Sequence, residues 1–336
     1  MKALVLYGPR DLRITDFSEP ALNDDGVKIA VHYCGLCGTD MHKYIGRSGS
    51  RKVIYPVPLG HEISGVVEAV GKNVTDFKVG DRVTADPNYS CGKCYFCRNG
   101  MPHMCENGRG VVKGMAEYVC PPQQNVYHLP NELSLRDASM TEPLSCALHG
   151  IKQLDLKPGN SVMIIGLGAI GTMMLEILQQ TKTGPIIVVE PQQSKKELAM
   201  RLGADLFVDP NTEDVNQKIA EAGIKNVDRV IECVGARATM ENAIHYAGKC
   251  ATVVMFGVGD DDNPPHYFAY EAFQKELTIR SSFVNPHTML QAIDLLARGV
   301  VRVNDFLSEV VTLEEMCEEI KNPVLSRRGK VIARIR

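Results

Sequence analysis

The chain has 336 residues, 44% hydrophobic and 23% charged. That is the balance of folded rather than disordered polypeptide, and it is length enough for two domains of ordinary size. Its 37 basic and 40 acidic side chains leave a net charge of −3, too near neutral for a general nucleic-acid or lipid-surface binder, and no apolar run reaches the ~18 residues of a membrane span.

Residues 1 to about 130 carry short β-type runs, KALVLY, VKIAVHY, EISGVVEAVG and DRVTADP, broken by Gly, Pro, Asn and Asp. That grammar predicts a barrel or sandwich. The N-terminus is too short in apolar length for a signal peptide. The 11 cysteines, an odd number, cannot all pair as disulfides. Together these predict a reducing, cytoplasmic setting, where clustered cysteines bind metal.

Candidate ligands lie among the strands. CGLCGTDMH holds Cys37, Thr39, Asp40 and His42, and PLGHEISG holds His61 and Glu62. Further on, Cys91, Cys94, Cys97 and Cys105 form C-x2-C-x2-C-x7-C. Cys-x2-Cys lets two thiolates of one tight loop reach one ion, and four thiolates close a tetrahedron with no open position. The loop between them has little apolar content, so the metal would supply its stability. An iron–sulfur cluster is the other group that four cysteines hold, though its motifs usually space the fourth differently. His103 lies inside this loop and reads as a surface residue, since four thiolates suffice. TEPLSCALHG then brings Glu142, Cys146 and His149. A catalytic zinc takes about three protein ligands and keeps one exchangeable position. Cys37 and His61 suit it, with Glu142 or Cys146 as the third.

Near residue 160 the pattern changes. SVMIIG is a continuous apolar strand followed by a helical run, TMMLEILQQT; IIVVE, KKELAMRLG, ADLFVD, VNQKIAEAG, RVIECVG, ATMENAIHYA and CATVVMFG repeat the alternation, and ELTIRSSF reads as the last strand. Fully apolar strands alternating with helices predict a doubly wound parallel sheet covered on both faces. The tail contributes two helices, MLQAIDLLARG and LEEMCEEIKN, and a final strand, GKVIARI, which return to the first domain. The predicted division is 1–147 with 282–336, and 148–281.

Gly166-x-Gly168-x-x-Gly171 directly follows an apolar strand and opens a helix, the context in which this motif is informative. Its glycines, with Ile170 between them, allow a tight turn and bring backbone N–H groups to a pyrophosphate at the helix N-terminus. Glu190 ends the next strand; a carboxylate there accepts from the ribose 2′-OH and repels a 2′-phosphate, which favours NAD over NADP. Val234, Gly235, Gly257 and Val258 fall at the next strand ends, along the path of an extended cofactor.

GHEISGVVEAVGKNV resembles the zinc signature of the medium-chain alcohol dehydrogenases. The four-cysteine loop, the GTD segment and the glycine-rich turn fall in that family's order, and the resemblance spans essentially the whole chain. TEPLSCALHG is most similar to the sorbitol and other polyol dehydrogenases. The resemblance implies a GroES-like catalytic domain plus a Rossmann domain, two zinc ions per chain, NAD, a small-molecule alcohol substrate and a homodimer or homotetramer. It implies that Cys37 and His61 are catalytic zinc ligands. Glu62 matches the acidic neighbour that can exchange onto the metal. Glu142 matches the carboxylate that polyol dehydrogenases place there, and Cys146 aligns with the thiolate of ordinary alcohol dehydrogenases. Asp40 fits as the acceptor that fixes the His61 tautomer. Thr39 matches the hydroxyl that bonds the substrate oxygen, His42 the histidine that passes the proton outward, and Lys195 the basic residue near the adenosine ribose.

The activity so implied is oxidation of a polyol or sugar-derived secondary alcohol to a ketone. The alternative is a vicinal diol or a β-hydroxy amino acid as substrate. Val284–Asn285 stands where the polyol branch has Arg-Tyr, so that branch's hydroxyl-reading contacts are not repeated here. Lys43, Arg47, Arg51 and Lys52 make the loop after His42 basic, which reads as a solvated rim or a clamp for an anionic substrate group.

Overall fold

A computed structural model describes residues 1–47, 53–259 and 262–336. Arg51 and Lys52 lie outside the described residues. The chain divides into two compact units, Met1–Ser145 with Pro286–Gly299 and Leu307–Arg336, and Cys146–Asn285 with Val300–Phe306.

The first unit is built from short strands. β1 (Lys2–Gly8), β2 (Asp11–Asp16) and β4 (Val57–Pro58) form a three-stranded sheet. The larger sheet runs β10 (Val126–His128), β6 (Arg82–Ala85), β5 (Glu62–Val70), β3 (Val27–Gly35), β18 (Lys330–Arg334) and β17 (Leu307–Thr312), with β9 (Tyr118–Val119) also paired to β3. β7 (Asn88–Tyr89) pairs β8 (Arg109–Gly110) beside the cysteine loop. Leu4, Leu6, Ile29, Ile63, Met115 and Val331 are fully or almost fully buried in one core. Each such side chain contributes about 1.5–3 kcal/mol of burial free energy. β3 is the strand that matters for chemistry, because its last residue, Gly35, is paired with Glu62 of β5 on one side and with Ile332 of β18 on the other. A strand from the C-terminus therefore closes over the segments holding Cys37 and His61.

The second unit is a six-stranded parallel sheet in the order β13 (Leu206–Val208), β12 (Ile186–Val189), β11 (Val162–Ile165), β14 (Arg229–Glu232), β15 (Thr252–Met255) and β16 (Thr278–Ser281). Every residue of β11, β12 and β14 is buried, as continuous apolar runs require when helices cover both faces. The order is that of a doubly wound dinucleotide fold, with its switch point between β11 and β14. Residues 300–306 belong to this second unit, whereas the sequence assigns all of 282–336 to the first. The reason is a polar clip. Arg302 N donates to Glu176 at 3.2 Å, and Asp305 accepts from Arg201 at 2.7 Å.

Candidate metal centres and cofactor turn

Cys37 precedes a two-turn helix, Gly38–Tyr44, that carries Thr39, Asp40 and His42. Asp40 is fully buried and ties two segments together: its Oδ2 accepts from Cys37 N at 3.3 Å and its Oδ1 from Gly60 N at 3.1 Å. Gly60 has φ +81°. A Cβ there would meet the Cys34 sulfur at 2.6 Å and the backbone of Met115 at 2.8 Å, so only glycine lets the chain turn into His61. The result brings the Cys37 Sγ, a ring nitrogen of His61 and a carboxylate oxygen of Glu62 within 4.8 Å of one another. Asp40 Oδ1 lies 3.8 Å from His61 Nδ1.

The electrostatics fit a cation. Burial pushes the His61 ring toward neutrality, but Cys37 and Asp40 overcome it and hold its pKa well above the usual imidazole value. Asp40, despite burial, is held well below the ordinary carboxylate range by His61. Glu62 Oε2 is buried and accepts no directed hydrogen bond, its neighbour being the Lys330 ammonium at 2.5 Å. A pocket that brings a thiol, an imidazole and a carboxylate together and draws in a proton suits a borderline dication such as zinc.

Glu142 is the second residue of the helix Thr141–Gln153 and is buried, but it lies outside the 4.8 Å group. Burial first, then Glu62 and Asp86, push its pKa up to about 7 against the attraction of His61 and Lys330. Cys146 follows one turn later on the same helix, where residues four apart share a face. Thr39 and His42 are half-buried on the helix after Cys37. His149, buried, lies 3.4 Å from the amide nitrogen of Gln153.

The sulfurs of Cys91, Cys94, Cys97 and Cys105 also gather within 4.8 Å. Cys94 and Cys97 approach to 3.5 Å, and Cys94 and Cys105 to 3.8 Å. Donors from Lys93 N, Asn107 and Cys94 N lower the Cys91 pKa to about 6, which favours the thiolate a metal needs. Four gathered thiols on a loop whose short helix, Tyr95–Arg98, buries no residue fit a closed tetrahedral ion. His103 is half-buried beside them rather than at the surface.

In the second unit, Gly166 has φ +93° and Gly168 caps the helix Ala169–Gln179, which also carries Ile170. A Cβ on Gly171 would lie 2.0 Å from the Gly166 carbonyl oxygen, so this position demands glycine. Glu190 is buried at the end of β12; its Oε2 accepts from Leu167 N at 2.7 Å, its Oε1 from Gln192 N at 3.0 Å, and Lys195 stands 3.6 Å away. Val234 and Val258 are exposed at the ends of β14 and β15. Gly257 approaches Gly235 so closely that a Cβ would meet its nitrogen at 2.1 Å.

Two residues escaped the sequence reading. Glu232 ends β14 as Glu190 ends β12, and one of its oxygens accepts from Val234 N, Gly235 N and the Thr239 hydroxyl at 2.7–2.9 Å. An acid at the end of a buried strand was the available signal. The other is Lys330, whose ammonium bonds Glu62 Oε1 at 2.6 Å across 268 positions of sequence; nothing local announces it.

A β-rich unit with a four-thiolate loop and a Cys–His–Glu group, joined to a doubly wound sheet with a glycine-rich turn, defines a zinc-type dehydrogenase. The chain belongs to the zinc-binding alcohol dehydrogenase family: residues 23–131 match the alcohol dehydrogenase GroES-like domain and residues 169–298 the zinc-binding dehydrogenase domain. It is 31% identical to D-arabinitol dehydrogenase 1 of Uromyces fabae over 99% of this chain and 96% of that one. Identity to sorbitol dehydrogenase of Bacillus subtilis (strain 168) is 30% over 94% and 91%. A crystal structure described as a zinc-binding dehydrogenase from Sinorhizobium meliloti 1021, bound to NADP, matches with a TM-score of 0.92 and 32% identity over 99% of both chains. No helix among the described residues is long and apolar enough to cross a membrane.

Proposed function

We propose that this dehydrogenase oxidises a secondary alcohol of a polyol or sugar-derived substrate to the ketone, with NAD taking up the hydride. One observation carries the reading: the ligand atoms of Cys37, His61 and Glu62 converge within 4.8 Å in a chain similar to D-arabinitol and sorbitol dehydrogenases. Zinc, when bound, supplies a Lewis acid that makes a substrate hydroxyl more acidic near neutral pH. Cys37, His61 and Glu142 hold it, with Cys146 the alternative third ligand, and Glu62 waits beside it. Asp40 orients His61. Thr39 hydrogen-bonds the substrate oxygen and relays its proton by giving up its own hydroxyl proton, which His42 passes toward solvent. Cys91, Cys94, Cys97 and Cys105 hold a second, structural zinc.

The turn Gly166–Gly171 seats the cofactor pyrophosphate on its backbone N–H groups. Glu190 reads the ribose hydroxyls with Lys195 beside it, and Ile170, Val234 and Val258 flank the extended dinucleotide. Residues 1–147 and 282–336 serve the substrate and 148–281 the cofactor. The protein works in the cytoplasm as a homo-oligomer. Eleven free cysteines support the compartment. The oligomer is supported by β16, exposed at every residue on the sheet's edge, and by Tyr270 and Phe273 nearby in sequence, 73% and 80% exposed.

A second reading takes a vicinal diol or β-hydroxy amino acid, favoured by Val284–Asn285 in place of Arg-Tyr. Polyols, vicinal diols and β-hydroxy amino acids assayed with NAD and with NADP, alongside a count of zinc per chain, test both. The expected result is two zinc ions and the highest kcat/KM on a polyol with NAD. One zinc and no cofactor reduction would sink the enzyme reading.

A further inference from the structure

Lys330 opens β18 and is buried, with its backbone fixed where Leu36 N donates to Val331 O at 2.9 Å. Its ammonium lies 2.6 Å from Glu62 Oε1 and 2.5 Å from Oε2. Only the first contact has hydrogen-bond direction, and Oε2 remains a buried acceptor with no hydrogen-bond partner. The carboxylate fits there because β3 has Gly35 opposite Glu62; a Cβ at that position would come within 2.0 Å of Oε2 and 2.6 Å of the Met140 methyl. Glu62 thus sits in a notch over Gly35, paired with an ammonium that reaches both its oxygens and grouped with Cys37 and His61 through its carboxylate.

The charges around it make the tie consequential. Asp40 and Glu142 are buried acids of the same site. Lys330 is the cation bonded directly to Glu62. A buried carboxylate deprived of its cation takes the nearest remaining one, because leaving it unpaired is costly. With a dication held by Cys37 and His61, that cation is the metal.

We propose that Lys330 is a positioning residue: by holding the Glu62 carboxylate, it keeps this group beside the catalytic ion rather than on it, so that the exchangeable position stays open to the alcohol. The inference rests on the reading of Cys37 and His61 as zinc ligands.

The test is Lys330→Met with Lys330→Arg as the conservative partner. Release of zinc to a chelator is followed in the apo-cofactor protein, the catalytic ion being the phase missing from Cys37→Ser. Lys330→Met is expected to release this ion at least ten times more slowly than the wild type. The alcohol KM should rise by a similar factor, with NAD affinity unchanged. The cobalt-substituted protein should show weaker d–d absorption as an oxygen ligand is added. Lys330→Arg should restore all three. A lysine that merely supports the fold predicts the opposite sign, and release as fast as or faster than wild type overturns the proposal.

Should Lys330→Met fail to fold, Glu62→Gln and the Glu62→Gln/Lys330→Met pair decide. Without the carboxylate, Lys330 has nothing to hold, so the two must release zinc at the same rate; faster release from the double variant overturns the proposal. A wild-type chain binding one zinc sinks the zinc reading itself. Two zinc ions with no slowing in Lys330→Met sink only this inference.

Discussion

Glu190 uses both of its oxygens on backbone donors, Leu167 N and Gln192 N, so it shapes the glycine-rich turn besides the ribose role proposed for it. Removing it leaves two N–H groups without their acceptor, at about 1–3 kcal/mol each, and removes the negative charge that repels a 2′-phosphate. Glu190→Ala is expected to lower Tm and to move the NAD/NADP ratio of kcat/KM toward NADP by at least about tenfold, equivalent to about 1.4 kcal/mol. An unchanged ratio would leave Glu190 only its staple role. Cys37→Ser should cut turnover by more than about 100-fold, since even partners behind metal ligands are worth 10–100-fold, while NAD binding followed by fluorescence persists. Full activity would remove Cys37 from the metal. Glu176 supplies a pH dependence away from the metal sites. Burial, reinforced by Asp305 and opposed by Arg302 N, raises its pKa from 4.5 to about 8. The folded state thus binds this proton more tightly, and the resulting stability is full below pH 4.5 and is lost as pH rises through about 8. Glu176→Gln, which mimics the protonated acid beside Asp305, Arg302 and Arg201, should match wild-type Tm at low pH and exceed it above pH 8. Equal Tm values throughout, by calorimetry, would contradict this.

Among the elements, the loop from Cys91 to Cys105 depends most on something other than its own packing. It has a four-residue helix with no buried residue, and all four of its thiols are half-buried. Cys94→Ser should therefore give a chain with one fewer zinc and a Tm lowered by several degrees, which metal analysis with thermal scanning measures. A protein as stable as wild type without that ion would show that the loop holds itself. This loop and the glycine-rich turn were legible in the sequence because each is contiguous: a few residues at fixed spacing carry both the ligands and the conformational demand, as Gly171 does by meeting Gly166 O. The helix after Cys37 was less so, since its order comes from Asp40 reaching Gly60, 20 positions away.

For the molecule as a whole, the exposed edge strand β16 and the exposed rings of Tyr270 and Phe273 belong to an oligomer reading that light scattering can test. Phe273→Asp is expected to shift the wild-type oligomer toward monomer while each chain keeps two zinc ions; a monomeric wild type would refute the reading. Sequence alone made the two-unit plan, the cysteine tetrad and the glycine-rich turn legible, because repeating apolar periods and short-range spacings are properties of neighbouring residues, whereas Cys37 and His61 stood out only through the family resemblance. Tertiary structure alone decided that Glu62 answers to Lys330 over Gly35, that Glu142 stands outside the tightest ligand group, and that residues 300–306 pack with the cofactor unit. Those facts depend on which strands become neighbours and on which buried charges must find partners, and chain folding settles both over separations that no local pattern encodes.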